Sequence, residues 1–216
     1  MYVQYGCGMS APKEWMNFDV SPNLVLERLP ILGLFYVGKK ATYEGLVRKR
    51  FPENVHYGDI VKGLPVHSDS CSGVYAAHVL EHLSLYDFKT ALKNTFSILK
   101  KDGVFRFIVP DLEVLVHQYI ESQDPISAIK FIEATLMGTI TKDKGLKSLI
   151  KAVLGNSNHL WMWDFNSLKY ELETVGFVNV RKATYHDSHD MMFRFVEHEE
   201  AFVDALCVEC YKPQHM

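Results

Sequence analysis

The stretch from residue 74 to residue 109 limits the fold more than any other part of the chain. Residues 74–77 (Val-Tyr-Ala-Ala) form an apolar run of strand length, and residues 104–109 form a second, stopped by Pro110-Asp111. Between them Ser84-x-x-Asp87 is a capping-box variant. Phe88, Leu92, Phe96 and Leu99 then repeat at helical spacing. Lys100 and Lys101 stand where a helix dipole favours cations, and Asp102-Gly103 turns the chain out. Strand, helix and strand in this order make a right-handed crossover unit.

The alternation extends in both directions and argues for a mainly parallel sheet with helices on both faces. Residues 3–5 read as a first strand, 15–18 as a second ending at Asp19, and 55–57 as a third ending at Gly58-Asp59. Beyond Asp111 the pattern is helical. Leu112, Leu115, Val116 and Tyr119 share one face, and Pro125 opens a helix with Ile126, Ile129, Ile132 and Leu136. Leu146, Leu149, Ile150 and Val153 mark another, and Leu168, Leu172 and Val175 a last one ending at Gly176. Residues 178–183 and 203–211 read as closing strands joined by a polar loop, "YHDSHDMM". With no repeat and no linker, one domain over residues 1–216 is expected.

Composition excludes several classes. Apolar residues at 48% and charged residues at 23% are those of a globule with a sizeable core, and a formal charge of −3 exerts no global pull on nucleic acid or anionic membrane. The longest apolar run, residues 29–37, is about half of what a bilayer span requires, so no membrane span is expected. Without a basic leader ahead of the first apolar run, the chain reads as cytoplasmic. Cys207-Val-Glu-Cys210 spells C-x-x-C, but in a strand an offset of three sends the two thiols to opposite faces, so two small buried hydrophobes are expected.

Gly6-Cys7-Gly8 follows the first strand, as a cofactor turn would, and Asp19 comes only eleven residues after Gly8. A dinucleotide site places its acid about 20 residues beyond the glycines, past a helix whose N-terminus holds pyrophosphate. Residues 9–14 leave room for one helical turn or an irregular loop, which offers pyrophosphate little dipole. S-adenosylmethionine carries no pyrophosphate. It needs close backbone approach at the first turn, which Gly6 and Gly8 permit. It needs an acceptor for both ribose hydroxyls at the end of strand two, which Asp19 supplies, and an acid such as Asp59 for the adenine amino group. The plainer alternatives are that Asp19 caps a helix at Ser21-Pro22 and that Asp59 is a turn acid.

On these stretches the chain resembles a class I S-adenosylmethionine-dependent methyltransferase of the type-11 methyltransferase-like group. The matching blocks are "YGCGMSAPKEWMNFDVSP", "GDIVKGLPVHSDSCSGVYAAHVLEHLS", "LKNTFSILKKDGVFRFIVPDL", "HLWMWDFNSLKYELETVGFVNV" and "ALCVECYKP", in collinear order. The resemblance implies an α/β, Rossmann-like, doubly wound and mainly parallel sheet of seven strands with an antiparallel last strand. It implies S-adenosyl-L-methionine as cofactor and S-adenosyl-L-homocysteine as co-product. It assigns Gly6, Cys7 and Gly8 to the methionine end, Asp19 with Val20 to the ribose side, Asp59 with Ile60 to adenine, and Ala77 with His78 to the floor below the sulfonium. Gly73 stands where such proteins commonly carry an aspartate before strand four.

His78 and His82 are the candidate catalytic residues, since a hydroxyl or amine acceptor gains from a base titrating near neutrality. His78, Glu81 and His82 fall at offsets of three and four, so all three share a face if the chain turns helical there. That spacing could build a divalent metal site with His159 as a fourth ligand. The favoured reading is that Glu81 and His82 pair with each other or with backbone, so no metal is expected. Residues 24–52 form an insert, read as a surface helix, as a cap over the site or as a seat for a lipid-linked or anionic substrate, and residues 118–157 form a helical substrate lid. The expected reaction moves a methyl group to an O or N atom of a small molecule or glycan. A non-catalytic subunit of the same fold usually lacks the glycines or the ribose acid, a nicotinamide oxidoreductase is opposed by the early acid, and no nucleic-acid partner is expected.

Overall fold

The computed structural model describes residues 1–42, 45–139 and 158–214. Four short parallel strands form one half of the sheet: β1 (Tyr2–Tyr5), β2 (Met16–Asp19), β5 (Val55–Tyr57) and β6 (Cys71–Ala77). Between β2 and β5 lie helices α1 (Pro22–Arg28) and α2 (Leu32–Phe35) and a separate antiparallel hairpin, β3 (Lys39–Thr42) with β4 (Gly45–Arg48). Helix α3 (Leu85–Ile98) leads into β7 (Leu99–Pro110). Helices α4 (Leu112–Glu121), α5 (Ser127–Ala134) and α6 (Phe165–Val175) follow, then β8 (Val178–Ala183) and β9 (Ala205–Tyr211). The seven-stranded sheet runs β5-β2-β1-β6-β7-β9-β8, parallel as far as β7, with β9 antiparallel to both of its neighbours. This is the expected architecture. Among the described residues no helix is long and apolar enough to cross a membrane.

The start signal read from sequence at the head of α3 is the one used, the Ser84 side chain accepting the Asp87 N–H at 3.2 Å. At the head of α6 the structure adds one that was not read, a full capping box of Asp164 with Ser167. Gly176 ends α6 at φ 115°, a left-handed backbone that suits glycine. One side of the sheet is apolar in alternation: Val74 and Ala76 of β6 and Phe105, Phe107 and Val109 of β7 meet Phe88, Leu92 and Phe96 of α3 and Leu168 and Leu172 of α6.

The opposite face carries α1, whose Leu24 packs with Val55 of β5, but no helix between β1 and β2. Residues 6–15 form no helix. Tyr75, Ile108 and Cys207 are instead covered by Trp15 and by Phe193, Val196 and Ala201, which come from two 3-10 turns, Met191–Phe195 and Glu199–Phe202. The fully buried Arg106 of β7 fastens that cover. Its guanidinium contacts Glu197, donates to Asp187 Oδ1 at 2.9 Å and Glu209 Oε2 at 3.1 Å, and reaches the Thr184 carbonyl at 2.6 Å. Arg181 closes the cluster on Glu209 and Asp187 at 2.6 and 2.7 Å.

Two further points were read differently, or in part, from the sequence. The insert contains a hairpin and not only helix, held by the buried Glu27 carboxylate, which accepts from Gly38 N, Phe51 N and Lys40. Gly73 lies inside β6, where a Cβ would come within 2.8 Å of the Tyr2 ring, so packing against that ring requires glycine. Cys207 and Cys210 sit on opposite faces of β9, free and buried, as strand geometry requires. The expected helix around Leu146 lies outside the described residues.

Arg106→Ala takes the cation from the fully buried Glu197 side chain and leaves the equally buried Glu209 with Arg181 as its cation. Breaking a buried ion pair from one side costs about 3–5 kcal/mol, and urea denaturation should read a loss of that order. The same cluster sets an acid limit. Burial pushes the Asp187 carboxyl up, but hydrogen bonds from Arg181, the Thr184 backbone and Arg106 outweigh it and hold Asp187 at about 2. Its contribution should therefore be complete above the unfolded value of about 3.9. It should fade as pH falls toward 2. Denaturation midpoints measured across that window should flatten most in an Arg181→Ala variant, which removes the first of those bonds.

Candidate functional site

Because β1, β2, β5 and β6 are parallel, their carboxyl ends reach one edge of the sheet. Strand order reverses between β1 and β6, and crevices at such a switch point are where ligands bind in open α/β sheets. The register is direct: Tyr5 pairs with Phe18, and Asp19 pairs with Tyr57. Gly6, Asp19 and Gly58-Asp59 therefore emerge side by side.

Gly6 and Gly8 both adopt left-handed backbone, at φ 64° and 53°. A Cβ on Gly6 would lie 2.2 Å from Cγ2 of Val79, whereas one on Gly8 would meet nothing within 4 Å. Cys7 between them is buried, donates its N–H to the Phe18 carbonyl at 3.1 Å, and has its thiol pushed up by burial. Asp19 closes the turn: Oδ2 accepts Gly8 N–H at 2.9 Å and Oδ1 accepts Ser21 N–H at 2.7 Å. Burial pushes its carboxyl up, opposed by those two backbone donors. Each oxygen retains one lone pair for another donor. The Ser21 side chain caps α1, with Pro22 in its first turn, so Asp19 orients the chain entering that helix as well as the glycine turn. Val20, half exposed, continues the edge.

Asp59 makes an Asx-type turn, accepting Val61 N–H at 3.0 Å on Oδ1, with Lys62 Nζ 3.3 Å from Oδ2. The Ile60 side chain is buried in the core, which leaves its backbone as the part that can face a ligand. Ala77 ends β6, and His78 follows in a left-handed conformation at φ 53°. Its N–H reaches the Ile108 carbonyl at 2.9 Å, and its Nε2 lies 2.9 Å from the Ala201 carbonyl. Its Nδ1 lies 3.3 Å from Glu81 Oε1. Burial pulls the imidazole down, but the Glu81 carboxylate and the Ala201 carbonyl outweigh it and the net shift is upward. With both ring nitrogens facing acceptors, His78 has no lone pair to offer unless one contact breaks. His82 differs: Nδ1 faces the Asn158 carbonyl at 3.2 Å, which leaves Nε2 for another partner.

The edge therefore gathers every residue expected for cofactor and catalysis: Gly6, Cys7, Gly8, Asp19, Val20, Asp59, Ile60, Ala77, His78 and His82. Of the expected pairing of Glu81 and His82 with each other or with backbone, His82 does reach backbone at the Asn158 carbonyl, whereas both Glu81 side-chain oxygens are buried without a hydrogen-bond partner. The Ala201 carbonyl, 123 residues from His78, went unforeseen. The only trace of it in the sequence is the apolar spacing of Phe193, Val196 and Ala201 beyond the polar loop. Of the expected lid, residues 140–157 lie outside the described residues.

No protein-family model matches the sequence, and no curated protein does. Solved structures match in fold. A chain of the complex between the Haloferax volcanii Trm112 methyltransferase activator and a candidate methyltransferase is 16% identical, with a TM-score of 0.50 over 98% of this chain and 82% of that one. The citrinin polyketide synthase CMeT domain is 13% identical, with a TM-score of 0.50 over 99% of this chain and 46% of that one. A SAM-dependent methyltransferase from Archaeoglobus fulgidus is 16% identical, with a TM-score of 0.49 over 98% and 85%. At such identities the first two likenesses concern architecture alone, and the architecture is the Rossmann-like methyltransferase fold.

The two glycines should respond differently to a methyl group. Gly6→Ala combines left-handed backbone, about 1–2 kcal/mol, with a clash against β-branched Val79 that adds about 1–3 kcal/mol of overpacking. Gly8→Ala carries the first cost alone. Denaturant titration should rank Gly6→Ala as the less stable variant, and equal losses would contradict this division.

Proposed function

We propose that the chain is an enzyme that binds S-adenosyl-L-methionine and transfers its methyl group to an O or N atom of a small molecule or glycan, releasing S-adenosyl-L-homocysteine. The observation that carries this reading is the Gly8–Asp19 arrangement. A left-handed glycine opens onto free space beside a buried carboxylate whose orientation is set by two backbone N–H groups. The fold supports it, because the early acid and the missing crossover helix suit a cofactor without pyrophosphate. In this reading Gly6, Cys7 and Gly8 face the amino-acid end and Asp19 accepts from the ribose hydroxyls. Val20, Asp59 and the Ile60 backbone border adenine, and Ala77 with His78 underlies the sulfonium.

When bound, the cofactor supplies a methyl group already activated toward displacement. The residues left to the chain are therefore chiefly positioning ones. His78, held between Glu81 and Ala201, is an imidazole fixed in position. His82 keeps the ring nitrogen that can take a proton or a ligand.

Titration calorimetry with S-adenosylmethionine, S-adenosylhomocysteine and NAD tests the reading. Heat from the first two and none from NAD is expected; heat from NAD alone would overturn it. Asp19→Ala removes charged acceptors worth about 1.5–3 kcal/mol, so affinity should fall roughly ten- to hundredfold. An unchanged dissociation constant in a folded variant would place the ribose contact elsewhere.

A further inference from the structure

Glu81 is the least satisfied charged group at this edge. It lies in the 3-10 turn Leu80–His82, just past β6, and its side chain is 1% exposed. Both of its carboxylate oxygens lack a hydrogen bond. Its backbone carbonyl, by contrast, is fully used, accepting Leu160 N–H at 2.8 Å and Trp161 N–H at 3.1 Å. Those two bonds clamp residues 158–161 against the turn and bring His159 alongside. His159 Nε2 stands 4.0 Å from Glu81 Oε1, and its ring meets that of His82 edge-on with centroids 4.9 Å apart.

One donor atom from each of Glu81, His82 and His159 falls within 4.8 Å of the others. The set is one carboxylate and two imidazoles, contributed from two sides of a turn that backbone hydrogen bonds hold shut. One detail fits ligation. His82 directs Nδ1 to the Asn158 carbonyl, the outer partner that orients a ligating imidazole and leaves Nε2 for the ion. His78 Nδ1 approaches the Oε1 side only, at 3.3 Å, and no described group hydrogen-bonds Oε2. A carboxylate buried in this way is costly unless a cation compensates it.

We propose that Glu81, His82 and His159 bind a divalent first-row cation of the zinc type, with at least one coordination position left open. Ligand bonds of about 2.0–2.2 Å place donors around a tetrahedral ion about 3.4 Å apart, so binding draws the three side chains inward by side-chain rotation. His78 is a neighbour of this site and not a ligand. The site stands independently of the cofactor reading. Its use rests on that reading: an open position beside the carboxyl end of β6 would lower the pKa of an acceptor hydroxyl, the proton-removing task that His78 is poorly placed to perform.

The test uses Co2+ as a spectroscopic probe on full-length protein stripped with chelator. One equivalent of Co2+ should bind with visible d–d absorption, be displaced by Zn2+, and raise the thermal midpoint. Glu81→Gln and His159→Ala should each weaken Co2+ binding by more than the 10–100-fold typical of losing an outer partner. His78→Gln should leave it within a few-fold. Where a buried variant fails to fold, His82→Asn on its half-exposed ring makes the same test. Calorimetry with S-adenosylhomocysteine on the same samples reports the cofactor site separately, so a protein that binds the nucleoside but no cobalt overturns the metal site alone. Wild-type protein without uptake, or Glu81→Gln binding as tightly as wild type, likewise ends the proposal.

Discussion

Ten residues must carry the chain from the end of β1 back to the start of β2, and that short parallel connection governs the rest of the structure. Parallel neighbours usually need a dozen or more residues, and the usual solution is a helix lying on one face of the sheet. Here the loop returns without one, and farther along the same face no α-helix covers Tyr75, Ile108 and Cys207. Burying an apolar sheet face is the main source of stability in such a domain. Something distant in sequence has to cover it.

The cover is the segment between β8 and β9, and it explains an otherwise costly choice. A lone arginine at the middle of a central strand would be destabilising without partners. Arg106 is tolerated because Asp187, Glu197 and Glu209 and the Thr184 carbonyl converge on its guanidinium. The segment has little regular backbone pairing of its own, so the cluster fixes it by charge. Trp15 Nε1 donating to the Met192 carbonyl at 3.1 Å and His198 reaching Ser10 Oγ at 3.0 Å bind the cover to the short connection that made it necessary. The cover also delivers the Ala201 carbonyl to His78. A constraint at the first crossover thus reaches the chemical end of the site.

What the sequence revealed follows the range of the interactions involved. Strands β1, β2, β5 and β6 and helices α3 and α6 were legible because strand alternation, helical spacing and Ser or Asp caps act within a few residues. The acid at Asp19 was legible because its spacing from Gly8 is itself local. The hairpin of β3 and β4 was hidden by mixed charge, and its buried Glu27–Lys40 pair joins residues 13 apart across a helix and a loop. The cover was hidden because "YHDSHDMM" reads as solvent-facing, although Asp187 points inward to Arg106 and Arg181 and Asp190 accepts from the Tyr2 hydroxyl. The placement of Glu81 was half legible. Its spacing to His82 is local, whereas its approach to His159 depends on two backbone bonds from residues 160 and 161.

The interlock between β1 and β6 shows how the glycine turn divides its labour. His78 accepts a left-handed backbone that ordinary residues adopt at a cost of about 1–2 kcal/mol, and strain of this kind persists only where surroundings over-determine it. The surroundings are the Ile108 carbonyl on its N–H and the Ala201 carbonyl on its ring. The bend turns the following residue back over β1, so Val79 fills the place where Gly6 would carry a Cβ. Gly6 is therefore glycine because protein presses on it, and Gly8 because nothing does. A single Gly-x-Gly turn holds two sheet ends together through its first glycine and leaves open space at its second. The strain at His78 is the physical link between the residue expected below the sulfonium and the turn expected to hold the cofactor.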